Sequence, residues 1–402
     1  MKWAELSFLG VRGFSAAAYF LLVPFLALWL INSRGLSGEA AATVVALCLF
    51  SGRVGGMVAA PFLSRIDLHR SVVTAYIAAT ATASLMALYQ GGNPVVWILL
   101  GSLLGLSFSS ATAALKALVV VAYSSEQRLW AFSRLNLAVN AGAPAGIAAG
   151  GYLMAHSPGL FAWSAAGLYA AALILLKLVP KASERQDQSP SDAPAAGGRL
   201  AFGFFLFFTS ITWVAYSQVF DVLPTFSADH VGTQSISYLF IVNSVMIIVL
   251  QTPITAAVEY LRKRGPGPAA GTILPGVHLA LGISILMFGF TGHASMIVAY
   301  GAMTIFTLTE LVWGPAYDSI VPRLKGRITP FAAYGIAGAV RGGAESLGSW
   351  VGIATATSAV VAWPSSALLF WVSAGGLVVV ATYFLWVGTT ERTMNARVEV
   401  PA

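Results

Sequence analysis

A chain of 402 residues with 57% hydrophobic and only 9% charged side chains cannot cover the surface of a water-soluble fold of its size, since soluble domains carry roughly 25% charged residues. The formal net charge of +7 is scattered through short segments between apolar runs, which argues against a nucleic-acid-binding protein and fits a topology signal. The one cysteine, Cys48, lies inside an apolar run, so an intrachain disulfide and a cysteine-built zinc site are both excluded.

Two stretches, Ser71–Leu115 and Gly265–Thr309, contain no Asp, Glu, Lys or Arg. Each is about twice the ~20 residues that cross a bilayer once as a helix. Backbone groups in hydrocarbon must be satisfied within their own segment, so these runs should be helical. A membrane β-barrel would alternate apolar and polar residues, and these runs do not.

In chain order, twelve apolar runs are separated by charged or Gly/Pro/Asn-containing breaks. The first six lie near 6–32, 38–62, 70–90, 94–121, 129–154 and 158–178. The second six lie near 200–226, 235–258, 269–290, 294–318, 329–357 and 364–388. Arg12 interrupts the first run, which continues to about Ile31, so it reads as a retained membrane helix rather than a cleaved signal. Lys181–Arg199 contains Glu184, Arg185, Gln186, Asp187, Gln188, two prolines and Gly197–Gly198, the composition of a flexible linker. The expected fold is therefore an all-α integral membrane protein with twelve transmembrane helices. They form two six-helix bundles, residues 1–180 and 200–402, joined by a cytoplasmic linker at 181–199.

Placing both termini in the cytoplasm puts sixteen basic residues in inner loops and tails: Lys2, Arg65, Arg70, Arg128, Lys177, Lys181, Arg185, Arg199, Arg262, Lys263, Arg264, Arg323, Lys325, Arg327, Arg392 and Arg397. Only Arg34 falls in an outer loop, a bias that an odd helix count would destroy. Trp29, Trp97, Trp130, Trp363 and Trp386 fall near helix ends, where amphipathic rings favour the membrane interface.

The two halves repeat each other. In helix five Ala138, Gly142, Gly146 and Gly150 recur every four residues, as do Ala344, Gly348, Gly352 and Ala356 in helix eleven. Small residues at this spacing let helices approach closely. Helices one and seven both end around a proline, Pro24 and Pro224, and helices two and eight carry Pro61 and Pro253 near their inner ends. Such recurrence favours a parallel repeat of six-helix units.

With these features the chain resembles the major facilitator superfamily over nearly its whole length. Asn140, Gly142, Gly146, Gly150 and Gly151 match the helix-five pattern Asn-x-Gly-x-x-x-Gly-Pro-x-x-Gly-Gly of drug/proton antiporters. Ile147 stands at the proline position, and a proline appears instead at Pro144. The segment Glu310–Pro315 is similar to the helix-ten Gly-Glu-x-x-x-x-Pro pattern of some exporters, with Thr309 in place of the glycine. In the signature between helices two and three, Pro61–Arg70 keeps Leu63 and Arg70. Arg65 replaces the aspartate, so that residue's gating role does not carry over; Asp67 is the nearest substitute.

Ionisable residues at bilayer depth are functional candidates because they are costly there. Glu310 lies well inside helix ten, where burial penalises its charged form and suits it to taking up and releasing a proton in each cycle. Arg341 and Glu345, four apart on helix eleven, share a face. They either neutralise each other or switch, with protonation of Glu345 freeing Arg341. Asp221, near the outer end of helix seven, is a third proton candidate. Arg12 and Arg53 are the deepest cations of the first half, without an acidic neighbour in their own helices. With Tyr19, Trp213, Gln218, Asn243, Trp313 and Arg341 they are the expected substrate-lining residues. Asn140, Gly142, Pro144, Gly146, Gly150 and Gly151 are the expected packing and gating set.

The resemblance implies a secondary transporter, exporting a small amphipathic metabolite or drug by proton antiport with alternating access across a bacterial cytoplasmic membrane. The alternative is proton-coupled uptake of a small organic anion. A membrane enzyme or sensor is remote: the five histidines His69, His156, His230, His278 and His293 are dispersed, with no Glu-x-x-His spacing and no appended soluble domain. No cofactor, metal or nucleic acid is expected. The expected partners are the substrate, protons and lipid, and the expected state is a monomer.

Overall fold

A computed structural model of the chain describes residues 2–124, 126–179, 198–219, 223, 233–264, 269–290, 296–325, 327–362 and 371–383. Among these, the regular structure is helical throughout, with no strand. The helices are α1 (Lys2–Leu22), α2 (Gly38–Leu63), α3 (Leu68–Leu88), α4 (Pro94–Ala122), α5 (Arg128–His156) and α6 (Phe161–Leu176). They continue with α7 (Gly198–Ser217), α8 (Thr233–Arg264), α9 (Ala269–Phe288), α10 (Met296–Leu324) and α11 (Pro330–Ala362), and α12 covers Trp371–Tyr383.

The first span does not end at Pro24. A single 3-10 turn, Val23–Phe25, absorbs the proline, and helix resumes over Leu26–Arg34. Proline lacks the N–H that the ladder needs at that point, and one tightened turn lets the chain pass it without a break. Gly35, at φ 69°, then closes the span in the left-handed region. Pro224, like Asp221, Trp363, Trp386 and 181–197 of the linker, lies outside the described residues. Gly198 and Arg199 already belong to α7. Local caps set the short loops: Ser37 accepts from Ala40 N, Asp67 from Arg70 N and Asn93 from Val95 N. Asp67 thus serves as the N-cap of α3.

Among the described residues, eight spans are long and apolar enough to cross a bilayer: Leu6–Arg34, Gly38–Leu63, Leu68–Leu88, Pro94–Ala122, Pro158–Leu176, Leu200–Ser217, Tyr238–Tyr260 and Met296–Leu324. The apolar helices Pro275–Phe288 and Trp371–Tyr383 are shorter. α5 and α11 stand outside both groups; each carries two charged side chains and a series of glycines. Large apolar side chains such as Phe62, Leu99, Ile174 and Phe207 are exposed, as hydrocarbon solvent permits.

The chain divides into two compact units, one of residues 1–196 with 321–339, the other of 197–320 with 340–402. In the first, α1 packs along α5 and α6, α2 along α4, and α3 along α4 and α6. In the second, Gly348 of α11 meets Val214 and Ser217 of α7, and Gly282 of α9 meets Gly375 of α12. Gln251 of α8 donates to the Leu311 carbonyl of α10 at 3.0 Å. Both units therefore use the same pairings, first helix with fifth, second with fourth, third with sixth.

The seams are tight where side chains vanish. A Cβ on Gly142 would strike the Gly13 carbonyl and one on Gly146 the Ala17 carbonyl, while on Gly150 it would meet Leu21 O and the Phe25 ring. A Cβ on Gly151 would come within 3.3 Å of the Phe25 ring, Asn140 Nδ2 donates to Asn136 O at 3.0 Å, and Pro144 sits inside α5. Trp29 and Trp97, placed by the sequence near helix ends, turn inward and are fully buried. The Arg34 guanidinium lies 4.5 Å from the Trp29 ring centroid, and Trp29 Nε1 donates to Pro158 O at 3.0 Å. These rings clasp a cation at the helix ends instead of facing lipid.

Candidate functional site

The second unit gathers its polar groups around Glu310, which stands midway along α10. Tyr216 Oη, from α7, donates to Glu310 Oε1. Asn243 Nδ2, from α8, donates to Glu310 Oε2 at 3.1 Å and to Thr307 Oγ1 at 2.9 Å. Three helices thus converge on one carboxyl, and both of its oxygens are met by neutral donors. A side chain held this way keeps its position whether or not it carries a proton, since each partner is a hydroxyl or an amide.

Beside it, Arg341 Nε donates to Glu345 Oε1 at 2.7 Å, one turn along α11. The Arg341 guanidinium rests on Trp213, 3.7 Å from the ring centroid. Arg341 is also within electrostatic reach of Glu310 and Tyr216. Trp213 and Trp313 are buried, with centroids 5.7 Å apart, and Tyr216 meets Trp213 edge-on at 5.1 Å. His278 packs 4.2 Å from Trp313, and its Nε2 lies 3.1 Å from Thr212 Oγ1. Gln218 is turned away: its Nε2 donates to the Val214 carbonyl at 2.6 Å and to Ser217 Oγ at 3.1 Å.

The first unit has its own buried polar group. Arg12 Nη1 donates to Thr112 Oγ1 at 2.8 Å, and the guanidinium stands 5.5 Å from the Phe108 centroid. Tyr19 stacks on the same ring at 3.9 Å and 10°. Arg53 is half-buried, within electrostatic reach of Tyr19.

Of the residues singled out from sequence, Glu310, Asn243, Arg341, Glu345, Trp213 and Trp313 lie in one neighbourhood, and Arg12 and Tyr19 in another. Asp221 lies outside the described residues. Sequence reasoning passed over Tyr216, Thr307, Thr112 and Phe108. A signal was available for two of them, because Tyr216 stands three residues from Trp213 and Thr307 three from Glu310, hence on shared helix faces. No group of three or more metal-binding side chains occurs among the described residues.

The family model described as the Major Facilitator Superfamily matches residues 8–326. The chain belongs to that superfamily. This facilitator is a multi-pass membrane transporter and not an enzyme. No curated protein sequence matches it. Its fold is similar to that of the human organic anion transporter MFSD10 (TETRAN), with a TM-score of 0.66 and 14% identity, over 96% of this facilitator and 99% of that chain. It is also similar to the proton:xylose symporter XylE bound to 6-bromo-6-deoxy-D-glucose, with a TM-score of 0.68 and 17% identity, covering 96% and 94%. A variant of the peptide transporter POT in complex with alafosfalin matches with a TM-score of 0.64 and 15% identity, covering 97% and 95%. At such identities the likeness is one of fold.

Proposed function

We propose that this facilitator is a proton-coupled secondary transporter in which Glu310 carries the proton. The observation behind this is the carboxyl at the middle of α10, held by Tyr216 and Asn243 from two other helices. Glu345 is the second proton candidate, and Arg12, Tyr19, Arg53, Trp213 and Trp313 contribute to the substrate path. The protein works as a monomer in a bacterial cytoplasmic membrane with both termini inside. Two halves, 1–180 and 200–402, expose the substrate alternately to either side, tethered by the linker 181–199.

The helix-five likeness supports export of a small amphipathic metabolite or drug by antiport. A second reading, uptake of a small organic anion together with protons, is favoured by one specific observation, the terminal nitrogens of Arg341. Among solved neighbours one is an organic anion transporter and another a proton:sugar symporter, which agrees with a proton-coupled fold without choosing between the two.

The test uses everted membrane vesicles with an imposed inside-acid gradient and a panel of cationic drugs and organic acids, with lumenal pH followed by fluorescence. Collapse of the gradient by a compound, lost in Glu310→Gln, is expected for proton antiport. A compound that acidifies right-side-out vesicles as it enters identifies symport. Proton-driven transport undiminished in Glu310→Gln would remove Glu310 from the mechanism.

A further inference from the structure

Arg341 is held on two sides and open on a third. Its Nε is committed to Glu345 at 2.7 Å, which fixes the rotation of the guanidinium about its stem. Its flat face lies on Trp213 at 3.7 Å from the ring centroid, which fixes the plane. Trp213 is in turn held by Tyr216, Trp313 and Tyr317 at 5.1, 5.7 and 5.7 Å. Among the described residues neither Nη1 nor Nη2 makes a hydrogen bond, and 37% of the side chain is exposed. What remains is a planar pair of N–H donors, positioned in advance and partly exposed.

That geometry matches a planar oxyanion. Two parallel N–H groups complement the two oxygens of a carboxylate, and the pairing is both stronger and more directional than one to an ammonium. A preset plane lowers the ordering cost of binding. A doubly charged phosphate fits less well, because Glu345 and Glu310 both act on the same cation.

The charges also fix how the anion and the proton influence each other. Arg341 faces Glu345 on its own helix, Glu310 from α10, and Tyr216 and Tyr317 from α7 and α10. Adding a proton to Glu310 removes one negative charge from this set and so strengthens the pull of Arg341 on an incoming anion. By linkage, a bound anion strengthens the hold of Glu310 on its proton by the same factor.

We infer that Arg341 recognises the transported compound, that this compound carries a carboxylate, and that the anion and the Glu310 proton load together. The inference rests on Glu310 as the proton carrier and turns the coupling toward co-transport.

The experiment is equilibrium binding of radiolabelled benzoate to the purified full-length protein in lipid nanodiscs, with benzamide as the uncharged competitor. Benzoate binds the wild type, benzamide does not displace it, and affinity falls about tenfold from mildly acidic to mildly alkaline buffer. Arg341→Gln and Arg341→Lys each lose at least about tenfold in affinity, because neither presents two parallel donors. The lysine variant keeps the charge beside Glu345 and carries the test if the glutamine variant does not fold. In Glu310→Gln the affinity for benzoate no longer depends on pH. No binding by the wild type, equal binding by Arg341→Lys, or displacement by benzamide overturns the anion site. Binding that needs Arg341 but keeps its pH dependence in Glu310→Gln leaves the anion site standing and overturns Glu310 as its coupled proton carrier.

Discussion

Glu310 has no cation bonded to it among the described residues; its two oxygens are met by a phenol and a carboxamide. A permanent ion pair would tie the carboxyl to one protonation state, whereas neutral donors accommodate both. Glu310→Gln preserves the shape, and its amide oxygen can accept from Asn243 while its amide nitrogen donates to the Tyr216 hydroxyl oxygen. We expect it to fold with a melting temperature close to the wild type and to exchange substrate across proteoliposomes, while losing accumulation driven by a proton gradient. Retained accumulation would refute the assignment. His278 makes a separate prediction. It is fully buried between Thr212 and the Trp313 ring, so His278→Ala opens a cavity and should lower stability by about 2–3 kcal/mol, read as a fall in melting temperature in detergent.

Helices in hydrocarbon gain nothing from expelling water from between them, so their association depends on how closely the backbones approach. The α2–α4 seam shows this at Gly105, where an added Cβ would collide with the Cys48 carbonyl and Ser51 Oγ and lie 2.7 Å from Gly52 N. Gly105→Ala should therefore destabilise by about 1–3 kcal/mol, because the obstacle is backbone that cannot rotate away. Gly167 on α6 is the control. A Cβ there meets nothing within 4 Å, so Gly167→Ala should be neutral or stabilising by up to about 1 kcal/mol through helix propensity. Thermal unfolding of the two variants side by side separates packing from propensity; equal effects would contradict the seam argument. The same physics explains why α5 is less apolar than its neighbours α4 and α6. Faces lined with glycine meet another helix, not lipid, and need not be hydrophobic.

At the scale of the whole molecule, each unit pairs its helices in the same order, and the basic residues fall almost entirely on one side of the expected topology. Orientation follows from that bias. In a Cys48→Ala background, Asn32→Cys should react with an impermeant maleimide from outside the cell, and Arg65→Cys only after permeabilisation. The reverse pattern would invert the topology.

The sequence by itself determined the helical membrane fold, the family and the place of Glu310 midway along its helix, because these follow from run length, charge placement and motif spacing, properties of each segment alone. The pairing of Arg341 with Glu345 was legible for the same reason, being set by one helical turn. Only the tertiary structure decided that Tyr216 and Asn243 close on Glu310, that Arg341 lies on Trp213, that Gln218 bonds its own helix and that Trp29 turns inward. Those outcomes depend on how far each helix is rotated about its axis. In a bilayer, hydropathy sets that rotation only weakly, since lipid and protein interior are both apolar. The approach of one backbone to another, at positions such as Gly105 and Gly146, sets it instead.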